Sequence, residues 1–232
     1  MTDYDTVDFL YDERVDTGAS MERIWASLRE RSRHSCDLDA ERDAPADSWR
    51  ELRWNQLTDV AIRPFGPDRD DEEKPVPDLP HVEVRYDPEP FRKAIASREE
   101  AVLAETAVDL LELLQHVYAG APDDLRFVYG VSAPHKRRLV EDDVPPPATP
   151  ESLDEDRIQY ASWMMGFPPS LADTYGQETL LSAPAWQTAE LGDGGVALLT
   201  TENPTNVCKP ETRAIDQHLD LDPPPETEEC DY

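Results

Sequence analysis

Apolar residues recur at helical spacing most clearly in residues 98–118, and this pattern predicts one long helix. Within it, one apolar residue follows another after three or four positions, which gives a single apolar stripe. The stripe comprises Leu103, Thr106, Ala107, Leu110, Leu113, Leu114 and Val117. Residues 97–100 (Ser-Arg-Glu-Glu) fit a capping box at the start of the helix, and Gly120 fits its end. Such a stripe requires a sheet or another helix to cover it.

Other segments show the alternation and composition of strands. Residues 81–86 alternate strictly, and residues 125–131 (LRFVYGV) are rich in β-forming side chains. Residues 186–191 and 195–200 flank a Gly-Asp-Gly-Gly turn and predict a hairpin. Residues 158–165 admit a helix or a strand, and their aromatic and β-branched content favours a strand. Strands and helices segregated in this way predict an α+β fold, with a mainly antiparallel sheet and helices packed on one face.

The first 62 residues predict a strand followed by two helices. Weak alternation marks a strand at 7–11, and an apolar face marks a helix at 21–31. A Ser-Trp-Arg-Glu capping box at 48–51 predicts a second helix that reaches about Leu57. The sequence then predicts four segments. Residues 1–62 form a strand–helix–helix segment that belongs to the main domain, and residues 63–80 form a connector rich in proline and acidic residues. Residues 81–206 form the main α+β domain, and residues 207–232 form an acidic, disordered tail.

Charge restricts the class of partner. The chain has 51 acidic and 22 basic residues, a formal net charge of -29. Repulsion of that size destabilises a compact state in dilute buffer, and molar salt screens it by shortening the Debye length to about 3 Å. We therefore expect a halophilic protein, with a specific acidic function such as nucleic-acid mimicry as the alternative. Nucleic acid and anionic membranes are not expected as partners, because both attract basic surfaces.

The sequence predicts no cofactor, no metal site and no catalytic residues. Its glycine cluster lacks the spacing of a phosphate-binding loop, and its five histidines are isolated from one another. The three cysteines are far apart and suggest neither a disulfide framework nor a zinc site. The first residues contain no basic and apolar signal sequence, and no apolar run approaches the roughly 20 residues of a membrane span. The expected location is cytoplasmic.

Two groups of residues are candidates for binding a partner. The aromatic side chains of Trp163, Phe167, Tyr175 and Trp186 belong to the core by default, although such residues also anchor protein interfaces. A basic island comprises His135, Lys136, Arg137 and Arg138. The island either receives a phosphate or a partner's carboxylates, or neutralises the acidic residues that follow it.

Three segments of the C-terminal half resemble a known class of proteins. Residues 163–171 (WMMGFPPSL), 175–185 (YGQETLLSAPA) and 190–199 (ELGDGGVALL) resemble a run in immunity proteins of bacterial polymorphic-toxin and type VI secretion systems. The shared pattern is a strand that contains tryptophan, a turn into a short helix, and a closing hairpin. The resemblance implies a non-catalytic cytoplasmic protein that binds a toxin domain. Two alternatives stay open. One is an enzyme with a dispersed site around His135 and Arg137 or Arg138, and the other is an accessory subunit of a larger assembly.

Overall fold

The chain divides into two compact units. The computed structural model describes residues 4–12, 14–31, 50–54, 57–65, 79–121, 124–141, 145–204 and 210–223. The N-terminal unit comprises residues 1–69 and 80–125, and the C-terminal unit comprises residues 70–79 and 126–232. The predicted single domain over 81–206 is therefore divided near residue 125. The reason is that the strand at 81–86 pairs with strands of the first 65 residues.

In the residues that the structure describes, the N-terminal unit combines four strands with three helices. Its elements are β1 (Asp5–Tyr11), α1 (Thr17–Arg31), β2 (Arg50–Trp54), β3 (Leu57–Phe65), β4 (His81–Tyr86), α2 (Glu89–Ser97) and α3 (Glu100–Gly120). The strands lie in the order β2-β3-β4-β1, and every pairing between neighbours is antiparallel. The strand predicted at 81–86 is confirmed, and it lies between β3 and β1.

Helices α1 and α3 pack against one face of these strands. The apolar side chains of that face come from alternate positions of β1, β3 and β4: Val7, Phe9, Tyr11, Val60, Ile62, Val82, Val84 and Tyr86. Helix α1 contacts β3, β4 and α3. Arg50 of β2 belongs to the same face: it forms an ion pair with Glu22 of α1, and its guanidinium lies 5.9 Å from the ring centroid of Trp25. This helix-covered face is the core of the unit.

The predicted helix at 48–57 is wrong for the residues that the structure describes, because β2 occupies 50–54 and β3 begins at Leu57. The capping-box pattern describes only local hydrogen bonds, whereas these residues pair across strands, with Arg50 opposite Ile62 and Trp54 opposite Leu57. The indole of Trp54 also donates to the carbonyl of Asp109 on α3, at 3.2 Å. Residues 63–65 of the predicted connector belong to β3, and residues 66–78 lie outside the described part of the chain.

The long predicted helix is confirmed as α3, but its start differs. Ser97 ends α2, a helix that the sequence analysis did not predict. Arg98 then turns the chain with φ 56°, and Glu99 precedes α3 without a side-chain capping bond. The capping box predicted at 97–100 is therefore not formed, because its serine belongs to the preceding helix. Helices α2 and α3 are thus separate helices, joined at Arg98, whose backbone is in the left-handed conformation.

The described part of the C-terminal unit contains four further strands, and each pairing between neighbours is antiparallel. Its elements are β5 (Leu125–Val131), α4 (Ala133–Glu141), α5 (Pro150–Asp154), β6 (Met164–Phe167), α6 (Pro169–Tyr175), α7 (Gln177–Leu181), β7 (Gln187–Glu190), β8 (Val196–Leu199) and α8 (Pro210–His218). The strands lie in the order β5-β6-β8-β7. The predicted strand at 125–131 and the β7–β8 hairpin are confirmed, the latter with Gly194 at φ 97°. The α+β class with antiparallel pairing is confirmed as well.

Two predictions for the C-terminal unit need correction. The strand predicted at 158–165 begins only at Met164, because side chains bind the preceding backbone: the Ile158 amide donates to the Tyr175 hydroxyl and the Ala161 amide to Asp216. The predicted disordered tail at 207–232 contains helix α8, which is ordered by the burial of Ile215. Residues 205–209 and 224–232 lie outside the described residues. None of the described helices combines the length and apolar character needed to cross a bilayer.

Candidate functional site

The second face of the N-terminal strands, opposite α1, contains a group of polar side chains. Asp8 of β1 lies directly opposite Glu83 of β4, and His81 of β4 lies opposite Leu10. Side chains alternate between the two faces of a strand, so His81 and Glu83 share a face, and Val82 points to the helix-covered face. The antiparallel register therefore brings one imidazole and two carboxylates together.

These three side chains form a compact, buried cluster, which we call the Asp8–His81–Glu83 cluster. One nitrogen or oxygen atom from each residue lies within 4.8 Å of the corresponding atoms of the other two. Only 1% of Asp8, 1% of His81 and 2% of Glu83 is exposed. Carboxylates and imidazoles are rarely so buried unless they are paired, hydrogen-bonded or bound to a metal ion.

Neighbouring side chains hold two members of the cluster in place. The Nε of Arg85 donates to Oε1 of Glu83 at 2.5 Å. The ring of Phe65 stacks on the His81 imidazole, with the centroids 4.8 Å apart and the planes at 25°. Arg63 lies opposite Glu83 on β3, and its guanidinium is 5.0 Å from the Phe65 ring centroid. Two arginines thus oppose the negative charge of the two carboxylates.

Sequence reasoning missed this cluster. It treated His81 as an isolated histidine, and it regarded pairs of carboxylates as uninformative in so acidic a chain. Asp8 and His81 are far apart in the sequence, and only the pairing of β1 with β4 makes them neighbours. One signal was available: His81 and Glu83 are two residues apart in a strictly alternating strand, which places them on one face.

The aromatic candidates differ in where they lie. Trp163 is 1% exposed and Phe167 is fully buried, so neither offers a surface to a partner. The Trp163 indole donates to the carbonyl of Thr201 at 2.9 Å, and Phe167 packs edge-on against Tyr175. Tyr175 and Trp186 are partly exposed. Burial raises the pKa of Tyr175, whose hydroxyl accepts the amide of Ile158. A role in partner binding thus fits Trp186 best.

The basic island lies on α4 and is not one exposed patch. His135 is buried, with its Nε2 3.4 Å from the Tyr160 hydroxyl, which donates to the carbonyl of Pro145. Lys136 is partly buried and Arg137 is exposed. Arg138 belongs to the helix, but its side chain lies outside the described part. The hypothetical site around His135 therefore starts from a histidine that faces the protein interior.

Asp216 is a buried carboxylate in the C-terminal unit. Its Oδ1 accepts the amide of Ala161 at 2.6 Å. Burial raises the pKa of Asp216 from 3.8 to about 6, against the opposing effects of the Ala161 hydrogen bond and the charge of Arg213. The carboxylate joins α8 to the segment before β6, which is a structural role.

Comparisons with known proteins add no family to this geometry. Neither the protein-family models, nor the curated proteins, nor the solved structures contain a match to the chain. The resemblance to immunity proteins therefore stays a prediction from the sequence.

Proposed function

We propose that the chain is a non-catalytic, cytoplasmic protein-binding module, immunity-like in that it occludes a cationic partner such as a toxin domain. The observation that supports the proposal is the position of strand β7 at the edge of the described sheet. Among the described strands, β7 pairs with β8 alone, and three of its four residues are partly exposed while Glu190 is exposed. Trp186, immediately before it, is partly exposed as well.

An edge strand has backbone groups that can accept another strand. The N–H and C=O groups on its outer side form a template for an extended segment of a partner, which joins by main-chain hydrogen bonds. A partly exposed tryptophan beside that edge supplies the aromatic contact that often contributes most of the binding energy. Edge strand β7 and Trp186 together form the proposed interface.

Charge selects the partner. Glu190 on β7 and Asp193 in the following turn are exposed, and the whole chain has a net charge of -29. At molar salt only charges in direct contact act, and there an acidic surface favours a basic contact and disfavours an acidic one. We therefore propose a basic partner, with lysine or arginine in the segment that meets β7.

The test is quantitative co-purification at molar salt. Tagged wild-type chain is compared with Trp186→Ala, Glu190→Lys and Glu112→Lys. Glu112 is an exposed acid on α3 of the other unit, so its reversal changes the net charge equally without touching β7. A basic protein should be recovered in stoichiometric amount with wild type and Glu112→Lys. It should be reduced at least several-fold with the other two variants.

Two results would reject this function. One is the absence of any stoichiometric protein partner, and the other is a partner that the Trp186→Ala and Glu190→Lys variants retain in full. Circular dichroism of each variant establishes that it is folded before the recovery is compared.

The acidic excess also supports a proposal about the environment: we propose a protein adapted to high salt. Repulsion between carboxylates returns as the Debye length grows from about 3 Å at 1 M to about 30 Å at 0.01 M salt. Dialysis from multimolar to millimolar salt should then unfold the chain, as followed by circular dichroism at constant pH. A native spectrum and a cooperative melt at low salt would assign the acidic residues to partner binding instead.

The enzyme alternative draws on one observation, the Asp8–His81–Glu83 cluster. A histidine beside two carboxylates is a common arrangement for acid–base chemistry. At 1–2% exposure, however, the three side chains cannot touch a dissolved substrate in this conformation. Binding therefore remains the function that the described residues support best.

A further inference from the structure

We infer that the Asp8–His81–Glu83 cluster is a binding site for one divalent first-row transition-metal ion of the Zn²⁺ type. This inference concerns the N-terminal unit and does not depend on the proposed partner or on β7. It assigns a role to three buried ionisable residues that the protein-binding function leaves unused.

The donor set selects the class of ion. A neutral imidazole nitrogen suits Zn²⁺, Fe²⁺ and Cu²⁺, whereas Mg²⁺ and Ca²⁺ prefer oxygen ligands alone. Two carboxylates beside the imidazole offset the double positive charge of the ion, and the partly exposed Arg63 and Arg85 keep their own charges partly in water. Histidine nitrogen and Asp or Glu oxygen are both ligands that Zn²⁺ binds, and three protein ligands leave the fourth position of the tetrahedron to a water molecule.

The backbone already places the donors. Asp8 and Glu83 are directly paired across β1 and β4, and His81 is the next residue on that face of β4. Zn²⁺ binds nitrogen and oxygen at about 2.0–2.2 Å in tetrahedral geometry, so two ligand atoms of one ion lie about 3.3–3.6 Å apart. The three donor atoms lie within 4.8 Å of one another, so adjustment of the side chains brings them onto one ion. Ligands on paired strands keep this geometry better than ligands on loops.

The surroundings resemble a supporting shell. Arg85 donates to Oε1 of Glu83 and thereby fixes the position of that carboxylate. Phe65 stacks on His81 and fixes the plane of the imidazole. Contacts of this kind orient the ligands of metal sites, and their loss commonly lowers metal affinity about 10–100-fold. Because the cluster is buried, we assign the ion a structural role, joining β1 to β4.

The competing explanation is a network of charges without an ion. In that case protein cations such as Arg63 and Arg85 balance the two carboxylates. The two explanations differ in one measurable quantity, the number of Zn²⁺ ions that the folded chain holds tightly.

The experiment uses the full chain after chelation and removal of the chelator. Zn²⁺ is titrated in a large excess of Mg²⁺, because Mg²⁺ occupies the many surface carboxylates and not a site that contains imidazole. We expect one Zn²⁺ per chain by elemental analysis after gel filtration. At 100 times the Kd, we expect the melting temperature to rise by about 5–10 °C. No retained zinc and an unchanged melting temperature would overturn the proposal.

Variants locate the ion. Asp8→Asn and His81→Gln keep similar shapes and should each weaken Zn²⁺ binding at least about ten-fold. His135→Gln is the matched control, because His135 is the buried histidine of the other unit. If the cluster variants do not fold, Co²⁺ bound to wild type supplies the answer through its visible absorption. Bands of a four- or five-coordinate ion with nitrogen and oxygen ligands support the site, and the weak bands of a hexa-aqua ion contradict it. Equal Zn²⁺ affinity in folded cluster variants and control would also reject it.

Discussion

The two units treat their buried polar groups differently. In the C-terminal unit these groups bond the backbone next to β6. Ser162 donates to the carbonyl of Met164, Thr200 to that of Trp163, and Asp216 accepts the amide of Ala161. In the N-terminal unit three buried ionisable side chains of β1 and β4 face one another in the Asp8–His81–Glu83 cluster, while Ser20 and Thr106 of its helices bond backbone carbonyls.

This difference distinguishes polar groups that stabilise the fold from polar groups that are placed to bind a ligand. A polar side chain that bonds a nearby carbonyl or amide satisfies an irregular segment that has no strand partner. Strands do not need that help, because their neighbours already satisfy the backbone. Ionisable side chains that converge from two paired strands therefore indicate a role of the side chains themselves, such as binding an ion. The predictions below test this distinction.

The largest expected effect is the loss of a structural group in the C-terminal unit. Trp163→Ala removes a buried indole and its bond to Thr201, and should lower the free energy of unfolding by about 3–5 kcal/mol. Trp186→Ala is the control, because Trp186 is only partly buried, and it should lower the free energy much less. Denaturant unfolding at high salt measures both. Similar losses for the two tryptophans would contradict the assignment of Trp163 to the core.

A smaller effect should follow the loss of Arg85. Arg85→Met removes the cation that bonds the buried Glu83 carboxylate, and should cost about 2–3 kcal/mol. This is below the range for a fully buried pair, since about a third of the Arg85 side chain is exposed. Lys93→Met is the control: Lys93 pairs with Glu89 at 3.6 Å on the surface of α2, and its loss should cost at most about 0.5 kcal/mol. Equal losses of stability in Arg85→Met and Lys93→Met would show that the buried Glu83 carboxylate does not need the charge of Arg85.

The smallest effect is a pH dependence at Asp216. Because the pKa of Asp216 is raised to about 6, the folded chain keeps this proton where the unfolded chain has lost it. The contribution of Asp216 to the free energy of unfolding should therefore fall as pH rises from about 4 to about 6 and stay level above. We expect this contribution to be about 1–2 kcal/mol.

Asp216→Asn should remove this fall, while Asp173→Asn, an exposed acid on α6, should keep it. Denaturant unfolding between pH 4 and pH 7 makes the comparison. A wild-type curve with the same slope as Asp216→Asn would show that Asp216 titrates normally.

Local patterns predicted those elements that have a strong period of their own. The apolar stripe of α3, the alternation of β4 and the glycine turn between β7 and β8 all depend on residues close in sequence. The pattern at 48–57 misled because a capping box competes with strand pairing that only β3 and β4 reveal. The same limit applies to the cluster: nothing near Asp8 in the sequence indicates that Glu83 is its partner.

The central claim is that convergent ionisable groups on paired strands bind an ion, whereas groups that bond the backbone do not. Zinc-edge anomalous diffraction from crystals of the full chain grown with Zn²⁺ tests it most directly. The claim predicts a strong anomalous peak bonded to Asp8, His81 and Glu83, and none at Asp216 or His135. A crystal with no peak in the cluster, or with an equal peak at Asp216, would contradict it.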